Sequence, residues 1–268
     1  MSWSITAWSG ANNAEVQNHS MPNVSIITPT ANRSAYLPLL YQCVCHQRDI
    51  DWEWLVLDDS PQADAWMQNT ARDDARVTYI HSPTALTIGE KRNQLIAQAQ
   101  YEHIAHFDDD DHYAPHYLST LVGHLVNNRA DLIKLSAFYL RAPKQDFFGY
   151  MDLTAKTGHH YVLNQEEIEH ITFHDKMQIG ADFIVFYGFS YVYRREIALR
   201  HPFEAVSFCE DEYFVKAIIH ADGSVITMPD TTGMCLHLVH GSSSSRCFSR
   251  YSMPKHLISV IFPNYREL

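Results

Sequence analysis

His103-Ile104-Ala105-His106-Phe107 runs directly into Asp108-Asp109-Asp110-Asp111. An apolar-biased run that stops at a block of acid reads as a buried strand opening onto a site at its carboxyl end. Carboxylates packed this closely repel one another, and sharing a divalent cation relieves that repulsion. Hard ions such as Mg²⁺ or Mn²⁺ take oxygen ligands, and Mg²⁺ is commonly held by one or two carboxylates together with substrate phosphates. A metal and a nucleotide diphosphate are therefore the first ligands to look for. The alternative is a solvated acidic turn that caps a helix starting near Pro115.

Working outward, Val24-Ser25-Ile26-Ile27-Thr28 is rich in β-branched residues and ends at Pro29, which predicts a buried strand followed by a loop. Asn32 to Ser34 can cap a helix whose apolar positions are Leu37, Leu40, Tyr41, Val44 and Cys45, with Pro38 in its first turn. Trp54 to Leu57 is a second strand, stopped by Asp58-Asp59-Ser60-Pro61, and Val77 to Ile80 a third, with a helix over Ala63 to Arg72 between them. A helix opening after Ile88-Gly89 carries Leu95, Ile96 and Ala99 on one face. This alternation argues for βαβ units on a mostly parallel sheet, with both acidic clusters at the carboxyl ends of strands.

Beyond a helix over Pro115 to Asn128 the pattern changes. Leu132 to Leu135, Phe183 to Tyr187 and Tyr191 to Tyr193 read as strands, and Asp211 to His220 as a helix burying Phe214, Ala217 and Ile218. Phe147 to Tyr161 mixes Gly, aromatic and His residues without clean periodicity. Residues 1–22 are polar and read as an arm. Residues 23–268 read as one domain with a nucleotide-binding half, 23–135, and a more irregular acceptor-side half, 136–268.

Bulk properties narrow the partners. The chain has 268 residues, 46% of them hydrophobic, and a net charge of −11 without any run of Lys or Arg, so a nucleic acid partner is not expected. Cys43, Cys45, Cys209, Cys235 and Cys247 form an odd set without CxxC pairs, which points to reduced thiols in a cytoplasmic setting. Cys43-Val44-Cys45-His46 could hold zinc, but it also falls within a helical apolar pattern. No stretch approaches the ~18 apolar residues of a membrane span, and the first twenty residues lack an export signal's basic and apolar regions.

Thr28-Pro29-Thr30 with Arg33, Asp58-Asp59-Ser60, Ile88-Gly89-Glu90-Lys91-Arg92-Asn93, the four aspartates and the later Glu210-Asp211 agree in order and spacing. Together they resemble the family-2 inverting nucleotide-sugar glycosyltransferases of the GT-A fold, over roughly Asn23 to Arg246. The resemblance implies an α/β, Rossmann-like architecture with a mostly parallel sheet flanked by helices. It implies that Thr28, Pro29, Thr30 and Arg33 line the nucleotide pocket and that Asp58 or Asp59 accepts a hydrogen bond from the base. The alternative for Asp58-Asp59-Ser60 is an Asx-type turn. Lys91 and Arg92 would serve the donor as exposed cations beside a helix N-terminus, contributing little to stability.

In the family's Asp-x-Asp motif the first aspartate contacts ribose and the second ligates the metal, which implies Asp108 and Asp110, with Asp109 between them and the register open by one. Mn²⁺ or Mg²⁺ is the implied cofactor. The Glu-Asp motif implies Asp211 as the base that takes the acceptor proton, with Glu210 second; locally the same residues read as an acidic first helical turn. The family's late histidine maps to His237 or, beside the Gly241 to Ser245 run, His240 as a metal ligand, although seventeen histidines leave a structural role open. Arg246 and Arg250 would steady the diphosphate under that run acting as a lid. The acceptor site would use Phe147 to Tyr161 and Tyr187 to Tyr191, whose aromatics could equally be core.

The expected function is a metal-dependent, inverting transfer of sugar from a nucleotide diphosphate sugar, a UDP-sugar for preference, to a hydroxyl acceptor such as a glycan. Two other classes remain: a metal-dependent phosphodiesterase or nucleotidyltransferase, and a non-catalytic protein that binds sugar nucleotides.

Overall fold

The computed structural model of the protein describes residues 6–7, 22–164, 167–175, 184–240 and 248–267. Most of the polar arm, Phe183, Gly241 to Ser245 and Arg246 lie outside the described residues. In chain order the elements are β1 (Thr6–Ala7), β2 (Asn23–Thr30), α1 (Leu37–Cys45), β3 (Asp51–Asp58), α2 (Ala65–Asp73), β4 (Val77–His81), α3 (Ile88–Gln98), β5 (His103–His106), β6 (His112–Tyr113), α4 (Tyr117–Asn127) and β7 (Leu132–Ala142). There follow β8 (Phe147–Asp152), β9 (Gly158–Asn164), β10 (Glu167–Phe173), β11 (Val192–Arg194), α5 (Arg195–Arg200), α6 (Glu210–His220), β12 (Val225–Pro229), β13 (Cys235–Leu238), β14 (Phe248–Ser249), β15 (Tyr251–Ser252) and α7 (Ile258–Ile261).

The main sheet is ordered β1-β12-β7-β11-β5-β2-β3-β4. Its two flanks are parallel, β5-β2-β3-β4 on one side and β7-β12-β1 on the other. Antiparallel β11 joins them, pairing Tyr193 with both Ile104 of β5 and Leu132 of β7. Beyond these, β8 and β13 pair with β7, β15 with β8 and β6 with β13, while β10-β9-β14 form a separate small sheet.

Alternation along each strand sends side chains to opposite faces, so Ile26 and Trp54 enter one core with Leu37, Leu40 and Leu118, and Ile27 and Leu55 enter the other with Leu95, Ile96 and Phe214. Burial of both faces explains why the strands read as apolar-rich runs without strict alternation. No helix among the described residues is long and apolar enough to cross a membrane.

Several elements differ from the sequence reading. Strand β2 continues through Pro29 to Thr30. Phe107 N–H reaches Ile27 O and β5 has ended by then, so the ring nitrogen of Pro29, on the same side as Ile27, removes no ladder bond. Helix α1 starts after Tyr36 without a side-chain cap, and it buries Cys43 rather than Cys45. Strand β7 runs on to Ala142 because its polar residues Lys134, Ser136 and Arg141 are buried with it. The Phe147 to Tyr161 stretch is not irregular: it supplies β8 and the start of β9. From Ile184 to Tyr187 there is no strand. Helix α6 buries Val215 in place of Ala217.

One glycine decides how α3 meets the chain leading into α6. A Cβ on Gly89 would lie 1.8 Å from Glu204 O, and Gly89 N–H donates to Val206 O at 3.1 Å. Gly89→Ala should therefore destabilise the fold by about 1–3 kcal/mol, as overpacking does where the neighbour is backbone. Urea unfolding measures this, and an unchanged midpoint would show that the 204–206 segment yields freely.

Candidate active site

Each aspartate of the acidic turn has a different environment. Asp111 is buried, taking a hydrogen bond from Leu238 N–H at 2.8 Å with His237 Nδ1 at 2.9 Å, and so ties the turn to β13. Asp109 Oδ2 accepts from the Thr30 hydroxyl at 2.6 Å, linking the turn to the end of β2. Asp108 donates its backbone N–H to the Tyr113 hydroxyl, and Tyr113 stacks on Phe107 with ring centroids 3.8 Å apart. Asp110 Oδ2 lies 2.6 Å from His240 Nε2 and 3.8 Å from Arg33. Arg33 in turn lies 3.1 Å from the same ring nitrogen, and Tyr36 stacks on the imidazole.

Withdrawal from water pushes the Asp108 carboxyl up to about 8, against the nearby Arg92 charge, and the Asp109 carboxyl up to about 7, with Asp110 adding to it. Burial also raises Asp111. It acts on Asp110 as well, but the His240 hydrogen bond and the charges of His237, His240 and Arg33 outweigh it and hold Asp110 below the usual carboxylate range. Asp110 thus differs from its three neighbours in the direction of its shift, because it faces an imidazole and a guanidinium.

The ends of β2 and β3 are braced from beneath. Thr28 is fully buried, its hydroxyl accepting from Trp54 Nε1 at 2.9 Å and donating to Phe107 O at 2.8 Å, so it ties β2 to β3 and to the end of β5. Asp58 forms the Asx-type turn, accepting from Ser60 N–H at 2.9 Å and from the Tyr79 hydroxyl at 2.7 Å. Asp59 accepts from Lys91 Nζ at 2.6 Å and Leu86 N–H at 2.8 Å.

Lys91 and Arg92 are not exposed cations; they are 5% and 4% exposed. The i, i+3 and i+4 geometry of α3 turns both inward, where Lys91 also donates to Thr30 O at 3.0 Å. Arg92 pairs with Glu210 at 2.5 Å, over the Phe203 ring. Burial opposes the Arg92 charge, but Glu210, Asp108 and Asp211 overcome it and raise its pKa.

Glu210, named second to Asp211 in the sequence reading, is buried in that pair. Asp211, the next residue, is partly exposed. Its Oδ2 accepts from Gly188 N–H at 2.9 Å and its Oδ1 from Glu212 N–H at 2.8 Å. The chain enters this contact from two left-handed residues, Tyr187 at φ 69° and Cys209 at φ 65°. Such conformations are unfavourable for side chains of this size and gather at functional sites. Nothing in the sequence announced Gly188 or Tyr187 as partners of the Glu-Asp pair.

The aromatics expected to meet an acceptor are mostly core: Phe147, Phe148, Tyr187, Phe189 and Tyr191 are all buried. Arg250 donates to His159 O of β9 at 2.6 Å. A cleft of about 290 Å³ opens beside Asp109 to Asp111, between α1 and the tail residues Pro263 to Arg266.

A mostly parallel sheet with carboxylates gathered at the carboxyl ends of its strands, and a helix opening on Glu-Asp beside them, has the build of a GT-A glycosyltransferase. Residues 25–199 match Glycosyl transferase family 2, and the chain belongs to that family. It is 36% identical over 105 residues to the putative colanic acid biosynthesis glycosyl transferase WcaA of Escherichia coli strain K12, a likeness that covers 38% of this chain and 38% of the relative. Among solved structures, S. aureus TarS 1-349 in complex with UDP-GlcNAc superposes with a TM-score of 0.58 at 16% identity, over 83% of this chain and 61% of that one. Mannosyltransferase PcManGT from Pyrobaculum calidifontis, in complex with GDP-Man and Mn²⁺, gives 0.57 at 15% identity, over 84% and 59%. At these identities the structural likeness is one of fold.

Removing one member of a buried ion pair leaves the other charged without compensation. Arg92→Ala is therefore expected to cost about 3–5 kcal/mol of stability in guanidinium unfolding, and adding Glu210→Gln should return part of that loss. Equal losses in the single and double variants would count against a coupled pair.

Proposed function

We propose that this chain transfers a sugar, with inversion, from a nucleotide diphosphate sugar to a hydroxyl acceptor on a glycan, and that the donor is a UDP-sugar held with Mn²⁺ or Mg²⁺. The observation that carries this reading is the convergence of Asp110, His240 and Arg33 at the carboxyl ends of β2 and β5. Asp110 Oδ2 and His240 Nε2, 2.6 Å apart, are a carboxylate oxygen and an imidazole nitrogen that would hold such an ion. Among the described residues no group of three or more His, Cys, Asp or Glu side chains is arranged to hold an ion. Two protein ligands, with diphosphate oxygens completing the shell, fit that arrangement.

The bound metal supplies Lewis-acid stabilisation of the leaving nucleoside diphosphate. The protein's own groups do the rest. Arg33 offers guanidinium N–H donors to phosphate oxygens beside Asp110. Asp59 retains lone pairs beyond those taken by Lys91 and Leu86, enough to accept from a ring N–H such as that of uracil. Asp211, oriented by the Gly188 and Glu212 amides, takes the proton of the acceptor hydroxyl as it attacks. Glu210 and Arg92 hold the helix start in place. The UDP-GlcNAc complex of TarS supports a UDP-sugar for a chain of this fold, and the Mn²⁺ complex of PcManGT supports a divalent ion.

Two measurements test the reading. Isothermal titration with UDP and Mn²⁺ should show Asp110→Asn weakening metal-dependent binding by about tenfold or more, with partial compensation from the neighbouring aspartates. Undiminished Mn²⁺-dependent affinity would remove Asp110 from the metal site. In turnover assays over a panel of nucleotide sugars, Asp211→Asn should lower kcat by roughly 10²-fold or more at nearly unchanged donor affinity. Near-normal turnover of that variant would eliminate Asp211 as the base.

A further inference from the structure

Lys134 is 1% exposed, on a strand whose every residue is buried. A lysine in such a place needs strong partners. Its Nζ donates to Ile184 O at 2.6 Å and to Phe186 O, and lies 5.5 Å from the centre of the Tyr191 ring. The two carbonyls belong to a segment without strand or α-helical pairing, and other buried side chains hold the rest of it. The Tyr191 hydroxyl donates to Val185 O, and His106 Nδ1 lies 2.9 Å from Gly188 O. Held in this way, the chain passes through left-handed Tyr187 and turns the Gly188 N–H onto Asp211 Oδ2. The approach is close: a Cβ on Gly188 would lie 2.9 Å from that of Asp211.

We propose that Lys134 is a positioning residue for Asp211, clamping Ile184 to Phe186 from beneath so that Gly188 N–H fixes the carboxylate that takes the acceptor proton. The inference rests on the reading of Asp211 as the base. Lys134 touches neither donor nor acceptor and acts only through the segment above it.

The charge of Lys134 matters to the clamp. Burial pushes its pKa down to about 7, opposed by the Asp211 carboxylate on α6. Among the described residues Tyr191 also faces it, and stays protonated because burial drives its pKa far up. Below about 7 the ammonium offers three N–H donors to the carbonyls; as pH rises through that value the neutral amine holds them less strongly. The Gly188 amide should therefore report a titration centred near 7 that belongs to a residue on another strand.

The test uses the ¹⁵N-labelled full chain and follows the Gly188 amide by chemical shift and hydrogen exchange. In Lys134→Met the pH titration of Gly188 should vanish and its exchange protection should fall by about tenfold or more, while the amides of Val192 and Tyr193 keep theirs. Lys134→Gln, which restores N–H donors without charge, should fall between. With Mn²⁺ and UDP-GlcNAc as the turnover probe, Lys134→Met should lower kcat at unchanged donor KM. Unaltered Gly188 protection in Lys134→Met overturns the proposal. Equal loss of protection across β7 and β11 also overturns it, because the lysine would then serve general stability. If Asp211→Asn turns over normally, the assignment of the base fails, and the exchange data still decide whether Lys134 holds Gly188.

Discussion

The ion pair between Arg92 and Glu210 fixes the start of α6 against α3, beside the acidic turn. Arg92 comes from α3, inside the parallel block that carries the acidic turn, whereas Glu210 opens α6 far down the chain. Neither charge is tolerable alone at that depth, so the pair constrains α6 to start where α3 begins. Phe203 stacks on Phe214 beside them at 4.1 Å between ring centroids, which seals the contact from water. Asp211 is then carried to its place as the neighbour of a residue that cannot move. Its carboxylate takes its direction from the Gly188 amide, not from the ion pair. Position and orientation are thus set by two separate devices.

The acidic turn shows a similar division. Three of the four identical residues part company because their surroundings differ: Asp111 anchors the turn to β13, Asp109 ties it to β2, and Asp110 faces His240 and Arg33. His237 and His240, three residues apart, are divided in the same manner between Asp111 and Asp110.

The parallel block was legible because its strands are buried on both faces and end at acid or proline, so that Val24 to Thr28, Trp54 to Leu57 and His103 to Phe107 stand out as β-branched or apolar-biased runs. The places where reading failed share a cause. Lys134 and Arg141 interrupt β7 with charged residues whose partners, Ile184 O and Glu267, are remote in sequence. Lys91 and Arg92 look like solvated cations until Asp59 and Glu210 are seen against them. Tyr187 and Gly188 give no local sign that their backbone meets Asp211, because that contact depends on φ and on a lysine from another strand. Pattern reports burial of apolar side chains well and burial of paired charges badly, since a paired charge leaves no periodic trace.

The antiparallel strand between the two parallel blocks bears on how the chain must be assembled. Until Val192 to Arg194 are available, β5 presents the unpaired edge of Ile104 and Ala105 on one side of the β2–β5 block, and β7 presents Leu132 and Ile133 on the other. Both edges are apolar and would template pairing with another chain. A three-residue strand closes both at once, and it comes late in the sequence. Its brevity ties folding of the first block to synthesis of the second, so a chain released before that point would carry two sticky seams.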